Sequence, residues 1–308
     1  MSESTITPAP SPLEPAPAGL CTRSDVYLKR EDTHELGSFK WRGALPALQK
    51  YRRNGATGVV TASTGNHGAA TAWAAQRLGL SATVFGPEHT SRTKLGLMED
   101  LGATVIQTGV DLDEAKEAAV AYAVARTLPF FEDGDEPVQL PGYGEIGREI
   151  VGQLGEPPAT LLVPVGNGAL ISGVAGAIRE QGESTRTVGV VPSAAPVMAL
   201  SVRADTPVPC EASATFADGL AVRVAIPSAV AALVQLALTT VLVSERELAL
   251  AVRAYARSGI RVEGAGAAAL AGLEHVDAEC PTVLLVTGRN IDESLYRRAV
   301  DHPETFES

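Results

Sequence analysis

The sequence is poor in several features that mark common protein classes. Its 308 residues include three cysteines, Cys21, Cys210 and Cys280, which are too few and too scattered for a disulfide framework or a zinc site. No apolar run is long enough to cross a bilayer, and residues 1–19 lack the basic and apolar regions of a signal peptide. We therefore expect a cytoplasmic protein with no bound metal and no membrane contact.

Positive charge is scarce as well. The chain has 25 Lys and Arg residues against 36 Asp and Glu residues, a formal net charge of -11 at pH 7. Phosphate backbones and anionic lipid surfaces repel a chain this acidic, so we expect no nucleic acid as a partner. Five of the basic residues are lysines. One of them, Lys40, stands in an unusual context.

What the chain does have is a regular alternation of strand-like and helix-like runs. Helical patterns such as those over residues 111–126 and 245–257 separate short apolar runs typical of buried strands. This alternation indicates an α/β protein whose mostly parallel sheets are covered by helices on both faces. The predicted strands cover residues 59–60, 82–85, 104–106, 161–163, 188–191 and 283–286.

The first motif that carries chemistry is GSFKWRG at residues 37–43, at the start of a predicted helix. A lysine between apolar and glycine residues is poorly hydrated, which favours its neutral amine and makes it available as a nucleophile. Such a lysine commonly forms a Schiff base, for which pyridoxal 5'-phosphate (PLP) is the common carbonyl. The alternative is that Lys40 is a solvated residue of a first helical turn.

The second motif is STGNHG at residues 63–68, between a strand-like run and an alanine-rich helical run that stops at Gly79. A strand, a polar turn and a helix together aim backbone N–H groups at an anion, and a carboxylate fits there. The alternative is an ordinary turn in which Ser63 or Thr64 caps the helix. A serine-hydrolase elbow is excluded, because Thr61 stands where a glycine is needed.

Two further motifs follow apolar strands. GNGAL at residues 166–170 lets backbone amides approach a phosphate, or is a plain glycine turn. Its spacing excludes a dinucleotide fingerprint at Ile171 and a Walker A loop at Val174. Thr287 ends the last strand, where open α/β sheets bind ligands, so it is a candidate partner for a ring nitrogen or a simple capping residue.

Together and in this order, the four motifs resemble those of fold-type II PLP enzymes, the tryptophan synthase β-like superfamily, in the serine/threonine dehydratase and serine racemase branch. The resemblance covers residues 20–300, and ADGLAV at residues 217–222 also resembles a stretch of the dehydratases. It implies a two-lobed α/β fold with mostly parallel sheets, with PLP in the cleft between the lobes, and a homodimer.

The resemblance also implies a role for each matched position. Lys40 would carry PLP, and Phe39 would pack beside its ring. Lys40 and Thr64 are the candidate catalytic residues, Thr64 because the family's racemases use a serine there. Asn66 would bond the ring hydroxyl, and Glu263 would lie near the ring edge. The implied cofactor-binding residues are Phe39, Lys40, Asn66, Gly166, Asn167, Gly168, Ala169, Leu170, Glu263 and Thr287, and the implied substrate-binding residues are Ser63, Thr64, Gly65, Asn66, His67 and Tyr143.

The Pro-, Ala-, Ser- and Glu-rich composition predicts a disordered tail over residues 1–18. From the resemblance we expect a large PLP-binding domain made of residues 19–61 with 140–308. Residues 62–139 would form a small domain. The residues after Asn290 are too few for the regulatory C-terminal domain of some threonine deaminases, so control through such a domain is not expected.

Some positions depart from the family pattern. Asn167 and Ala169 interrupt a phosphate loop that usually has four glycines, and Gly134 replaces a polar residue that contacts substrate. Tyr143 and Glu145 stand where dehydratases have Gln and Thr. We hypothesise that both reshape the pocket, making L-serine and L-threonine poor substrates and favouring a polar or cationic side chain. The alternative is that Glu145 faces solvent.

The implied function is that of a PLP-dependent ammonia-lyase (dehydratase) acting on a β-hydroxy or other β-substituted amino acid. α,β-Elimination would give an aminoacrylate and then a 2-oxo acid and ammonia. Racemisation and β-replacement remain alternatives within the family, although the extra methyl and fixed rotamer of Thr64 disfavour racemisation. A nicotinamide-dependent oxidoreductase would have to use GAGAAA at residues 264–269, which no convincing strand precedes. A non-catalytic binding protein would be expected to lose Lys40.

Overall fold

A computed structural model describes residues 8–90, 92–182, 185–210 and 214–307. The chain divides into two compact units. Residues 40–142 belong to the smaller unit, and residues 11–39 with 143–308 form the larger unit. The boundary between them falls inside one helix, Gln139–Leu154.

The strands in chain order are β1 Leu13–Pro15, β2 Val26–Arg30, β3 Gly58–Ala62, β4 Ser81–Gly86, β5 Thr104–Gln107, β6 Thr160–Pro164, β7 Arg186–Pro192, β8 Thr239–Val243 and β9 Thr282–Val286. The helices are α1 Trp41–Arg53, α2 Asn66–Leu78, α3 Arg92–Asp100, α4 Leu112–Arg126, α5 Gln139–Leu154, α6 Ala169–Arg179, α7 Val197–Arg203, α8 Pro227–Gln235, α9 Glu245–Arg257, α10 Gly264–Leu273 and α11 Glu293–Asp301. Each predicted strand is confirmed, as are the two predicted helices, but the predicted burial is wrong for β5, none of whose residues is buried.

The larger unit is built on a six-stranded sheet in the order β1-β2-β9-β6-β7-β8. Every pairing is parallel except that of β1 with β2. In the central strand β9 all five residues are buried, as expected for a parallel strand covered on both faces. The register pairs Arg30 with Val286, so both strands end at the same edge of the sheet, immediately before Thr287.

Two apolar cores lie on the two faces of this sheet. Successive residues of a strand point to opposite faces, and Leu162 accordingly belongs to one core while Leu161 and Val163 belong to the other. The first core contains α9 and α10, and the second contains α6. Helix α9 begins with a capping box between Ser244 and Glu247.

Helix α10 is buried at all ten residues and consists of glycine, alanine and leucine. A Cβ on Gly272 would lie within 2.9 Å of Val190 side-chain atoms, so only a glycine allows this approach to β7. The small residues therefore serve close packing. No strand directly precedes α10 among the described residues, which removes the context that a dinucleotide fingerprint requires.

The smaller unit contains a three-stranded parallel sheet in the order β3-β4-β5. Val60 and Phe85 share an apolar core with three alanines of α4. Asp111 caps α4 by accepting hydrogen bonds from two backbone N–H groups. Helix α2 ends, as predicted, at Gly79, whose φ of 67° suits a left-handed C-cap.

The division of the chain differs from the predicted domains. The predicted small domain began at residue 62, inside β3, whereas the smaller unit extends from residue 40 to residue 142. Strand β3 pairs with β4 over its whole length, and α1 packs on α2, with Trp41 and Trp73 in ring contact at 6.1 Å. These contacts tie residues 40–61 to the smaller unit.

The prediction of a disordered tail over residues 1–18 is wrong for residues 8–18, and residues 1–7 lie outside the described part. Leu13–Pro15 forms the edge strand β1. The physical reason is Lys29, which is fully buried and must satisfy its ammonium group inside the protein. It donates to the backbone oxygen of Ser11 at 2.7 Å, to Glu149 at 2.6 Å and to Gln153 at 2.9 Å.

None of the helices described is both long and apolar enough to span a membrane. Within the same described ranges, no three His, Cys, Asp or Glu side chains are grouped as metal ligands would be.

Candidate active site

Lys40 lies at the start of α1, as predicted. Its backbone oxygen accepts hydrogen bonds from the N–H groups of Gly43 and Ala44, so the residue already belongs to the first helical turn. The side chain is 14% exposed, which is low for a lysine. The predicted apolar surroundings are wrong at the amine itself, because Nζ donates to Asp133 Oδ2 at 2.5 Å.

The polar turn that opens α2 is organised by Ser63. Its Oγ accepts hydrogen bonds from the backbone N–H groups of Gly65 at 3.2 Å and Gly68 at 3.0 Å. Gly65 is the N-cap, so Asn66 and His67 are the first two helical residues. First-turn N–H groups have no partner within a helix. Ser63 engages that of Gly68 here, so anion binding by the remaining first-turn N–H groups stays a prediction.

The buried His67 and the partly exposed Asp133 interact beside this turn. His67 Nδ1 lies 3.5 Å from Asp133 Oδ1, and His67 Nε2 lies 3.0 Å from Thr61 Oγ1. Burial lowers the pKa of His67 below its usual value of 6.5, and the nearby Asp133 offsets only part of this effect. Desolvation raises the pKa of Asp133, but the positive charge of Lys40, the electrostatic interaction with His67 and the hydrogen bonds from Lys40 and Gln139 outweigh it and lower this pKa to about 2.

In the larger unit, the glycine loop joins β6 to α6 as predicted. Gly168 is the N-cap of α6 and has a φ of 90°, a conformation that favours glycine. A Cβ on Gly166 would lie 2.9 Å from the backbone oxygen of Gly219, so the loop packs directly against the turn that contains the dehydratase-like stretch. A side chain at residue 166 would therefore displace the loop, whose phosphate role stays a prediction.

Asn167, a departure from the family pattern, has a local structural effect. Its Oδ1 accepts a hydrogen bond from the Ala169 N–H at 3.1 Å and closes a turn within the loop. A loop of four glycines, as the family usually has, could not make this contact because it has no side-chain oxygen. The Ala169 amide is thereby engaged within the protein, although the resemblance implied that it would face the phosphate.

Thr287 follows β9 and is 2% exposed, and its Oγ1 has no hydrogen-bond partner among the described residues. Ser38 is in the same situation, buried with an unpartnered Oγ, and it pairs with Gly288 in an isolated β-bridge. The Phe39 N–H donates to the Thr287 backbone oxygen at 3.1 Å. Glu263 is buried and its N–H donates to the Gly288 oxygen at 3.1 Å.

Tyr143 and Glu145 are two residues apart in α5 and differ in exposure. Tyr143 is buried, and its ring is 5.3 Å from that of Phe39. The Glu145 side chain is 58% exposed and pairs with Arg148 at 2.8 Å. The hypothesis of a buried Glu145 carboxylate beside the substrate is therefore wrong. Helix α5 has one apolar and one polar face. Residues 143 and 146 lie on the face that packs into the core, and residue 145 lies on the face toward solvent.

These groups fit PLP by their own properties. A buried hydroxyl without a partner at a strand end suits a ring nitrogen, and a tight glycine loop at a helix N-terminus suits a phosphate. A recessed lysine suits the Schiff base. A family model described as pyridoxal-phosphate dependent enzyme matches residues 5–288. The chain belongs to this family. PLP is its cofactor.

Curated relatives lie in the serine/threonine dehydratase branch of this PLP-dependent family. L-threonine ammonia-lyase from Geobacter sulfurreducens is 40% identical over 272 residues, which cover 87% of this chain and 67% of that protein. L-threonine ammonia-lyase from Thermotoga maritima is 34% identical over 286 residues, covering 91% of this chain and 71% of that protein.

Solved structures give the same result. The processed form of threonine deaminase isoform 2 from Solanum lycopersicum superposes with a TM-score of 0.89 at 33% identity, over 95% of this chain and 88% of that one. Maize serine racemase has a TM-score of 0.87 at 24% identity, over 96% of this chain and 93% of that one, and so shares the fold.

Sequence reasoning missed Asp133 and Gln139 in the smaller unit and Ser38 in the larger one. Asp133 is 93 residues from Lys40 in the chain, and no local pattern connects them. A usable signal was present nonetheless, because EDGDE at residues 132–136 places four carboxylates directly upstream of a segment that departs from the dehydratase pattern.

Proposed function

We propose that this protein is a PLP-dependent ammonia-lyase that converts a β-hydroxy or similarly β-substituted amino acid into a 2-oxo acid and ammonia. The observation that carries the proposal is the position of Lys40 in the smaller unit. Its amine is recessed and contacts Asp133, which in turn contacts His67 in the first turn of α2. The names of the relatives, L-threonine ammonia-lyase, support the same reaction and make L-threonine the first substrate to test.

In the smaller unit, the residues bind the amino acid and move a proton. The N–H groups at the start of α2 would hold the substrate carboxylate, which also gains from the positive end of the helix dipole. Lys40 Nζ would then act as the general base for the α-proton. When bound, PLP supplies the carbonyl that the substrate amine engages and an electron-withdrawing ring.

In the larger unit, the residues would hold the cofactor. The loop at residues 166–170 would bind the phosphate through backbone amides, and Phe39 and Glu263 would lie beside the ring. Thr287 would meet the ring nitrogen with a neutral hydroxyl that is a very weak acid and does not protonate it. A ring nitrogen left unprotonated would withdraw less negative charge, which would favour loss of a β-substituent over transamination.

The finer points of the proposal concern assembly and location. We expect a homodimer, as the family resemblance implies, and a cytoplasmic location, which suits a chain with only three cysteines. Light scattering of the purified protein and fractionation of producing cells test these two expectations separately.

The test of the proposed function is a substrate panel with the PLP-loaded enzyme. L-serine, L-threonine, 3-hydroxyaspartate and phenylserine are supplied in turn, and the 2-oxo acid and the ammonia released are both measured. The proposed reaction forms the two in equal amounts. We expect turnover of at least one β-hydroxy amino acid. Inversion of configuration without ammonia would replace the proposal with a racemase, and consumption of an added thiol without ammonia would indicate β-replacement.

A further inference from the structure

Asp133 places a fixed negative charge at the reacting amine. Its Oδ2 accepts from Lys40 Nζ at 2.5 Å and its Oδ1 lies 3.5 Å from His67 Nδ1. At neutral pH the carboxyl is ionised, because its pKa lies near 2. No role was predicted for this residue from the sequence, and the reaction proposed above assigns it no step of its own.

The segment that carries Asp133 is held in place on both sides. The Phe131 backbone oxygen accepts from Thr61 Oγ1 at 2.8 Å, and the Gly134 N–H donates to Oε1 of the buried Gln139 at 2.9 Å. The Phe131 ring lies 4.6 Å from the His67 ring. A carboxylate held by packing and hydrogen bonds on both sides costs little to orient when a ligand arrives.

The distance of this carboxylate from Nζ places it within reach of the β-group of an amino acid whose α-proton faces Lys40. A general base at Nζ must reach the α-proton of the bound amino acid, so atoms in contact with Nζ lie within a few ångströms of the α- and β-carbons. An oxygen at 2.5 Å from Nζ meets this condition. Because the group is anionic and accepts hydrogen bonds, it attracts a donor or a cation and repels an anion.

We propose that Asp133 determines specificity by the charge of the β-substituent. It favours amino acids whose β-group is a hydroxyl or an ammonium that donates to Oδ2, and it disfavours those that carry a second carboxylate. This inference rests on the proposed function, since it assumes that an amino acid is bound with its α-proton facing Lys40. It moves to Asp133 the electrostatic role that the sequence had suggested for Glu145.

The test uses three amino acids of similar size that differ in β-group: L-serine with a hydroxyl, L-2,3-diaminopropionate with an ammonium, and L-threo-3-hydroxyaspartate with an added carboxylate. Dissociation constants are measured from the change in cofactor absorbance on binding, which needs no turnover. In the unmutated protein we expect diaminopropionate to bind at least about tenfold more tightly than 3-hydroxyaspartate, the scale of a hydrogen bond to a charged group.

Asp133→Asn keeps the shape and removes the charge. We expect it to weaken the binding of diaminopropionate and to strengthen the binding of 3-hydroxyaspartate, so that the ratio of their dissociation constants shifts by about tenfold or more. The dissociation constant of L-serine should change least. Asp133→Glu retains the charge and should keep the original order. Asp135→Asn removes an exposed carboxylate two residues away and is the matched control that should leave the ratio unchanged.

A second readout uses the protein without cofactor. The rate at which an amine reagent labels Lys40 is compared with that of Lys116, whose side chain is 46% exposed. Asp133→Asn should speed labelling of Lys40 several-fold and leave Lys116 unchanged, because the ion pair protects the amine. Equal labelling of Lys40 in both proteins would mean that the contact does not form in solution and would overturn the inference.

The outcomes separate the two proposals. An equal change in all three dissociation constants would mean that Asp133 only positions Lys40, and the specificity proposal would be overturned. An unchanged ratio would also overturn it, while ammonia released from L-serine or L-threonine by the unmutated enzyme would leave the proposed function intact. If no amino acid yields ammonia but the ratio shifts, the proposed reaction fails and the assignment of Asp133 stands.

Discussion

The smaller and larger units differ in the kind of group that each contributes to chemistry. In the smaller unit the candidate groups are charged or titratable side chains, Lys40, Asp133 and His67, in direct contact. In the larger unit they are mainly backbone amides of a glycine loop and the neutral hydroxyl of Thr287. Charged groups suit steps that move protons, and neutral donors suit the holding of a cofactor at constant charge. The predictions below test this division.

The largest expected effect is that of Lys40→Ala. Loss of the proton-transfer group alone should lower kcat by about 10²–10⁴-fold, and no cofactor should become attached to the protein on borohydride reduction. Turnover and peptide mapping after reduction measure both. Lys116→Ala, which removes an exposed ion pair with Glu132 in the same unit, should leave activity unchanged. A reduced adduct on a peptide without Lys40 in the unmutated protein would contradict the assignment.

In the larger unit, Gly166→Ala should weaken PLP binding by about tenfold. The new Cβ would lie 2.9 Å from the Gly219 oxygen, and a backbone atom cannot move away as a flexible side chain can, so the loop must shift. Fluorescence titration of the cofactor-free protein with PLP measures the effect. Gly176→Ala in α6 is the matched control, because its Cβ meets nothing within 4 Å. Equal PLP affinities in both variants would remove the phosphate role from the loop.

A smaller effect is expected from the titration of His67. Its folded-state pKa lies below the usual 6.5, so the unfolded state binds more protons as the pH falls below 6.5 and the folded state loses stability. One such group contributes at most about 1.4 kcal/mol per pH unit. We measure the free energy of unfolding of the cofactor-free protein in urea between pH 7.5 and pH 5. It should decrease less over this range in His67→Gln than in the unmutated protein.

The control for this experiment is His89→Gln, which alters an exposed histidine of the same unit. It should retain the full pH dependence. If the free energy of unfolding falls equally steeply with pH below pH 6.5 in His67→Gln and His89→Gln, His67 is not the group responsible.

The smallest effect is expected from Glu145→Thr. Its side chain is 58% exposed and pairs with Arg148 on the surface, so the free energy of unfolding should change by about 0.5 kcal/mol or less, with unchanged substrate preference. A marked change in the order of substrate preference in Glu145→Thr would restore the hypothesis that Glu145 lies beside the substrate.

A buried partner on the same helix gives the contrast. Glu149→Gln should destabilise the protein by about 3 kcal/mol because the fully buried Lys29 loses its counter-charge.

The parts of the fold that could be predicted are those with a local signature. Strands such as β9 are runs of apolar residues, and α2 ends at a glycine that alone accepts its backbone angles easily. The loop before α6 and the lysine before α1 are also local motifs. The edge strand β1 could not be predicted, because its composition resembles that of a disordered tail. What fixes this segment is the buried Lys29, 14 residues or more further along the chain.

The sequence by itself determined the α/β class, the family, the PLP cofactor and the candidate lysine. Each of these is written in a few adjacent residues, through side-chain periodicity, backbone freedom or a contiguous motif. Only the tertiary structure decided that Asp133 contacts Lys40, that Glu145 faces solvent and that residues 40–61 belong to the smaller unit. Electrostatic contact and burial depend on distance in space, and residues 93 positions apart acquire that proximity only when the chain has folded.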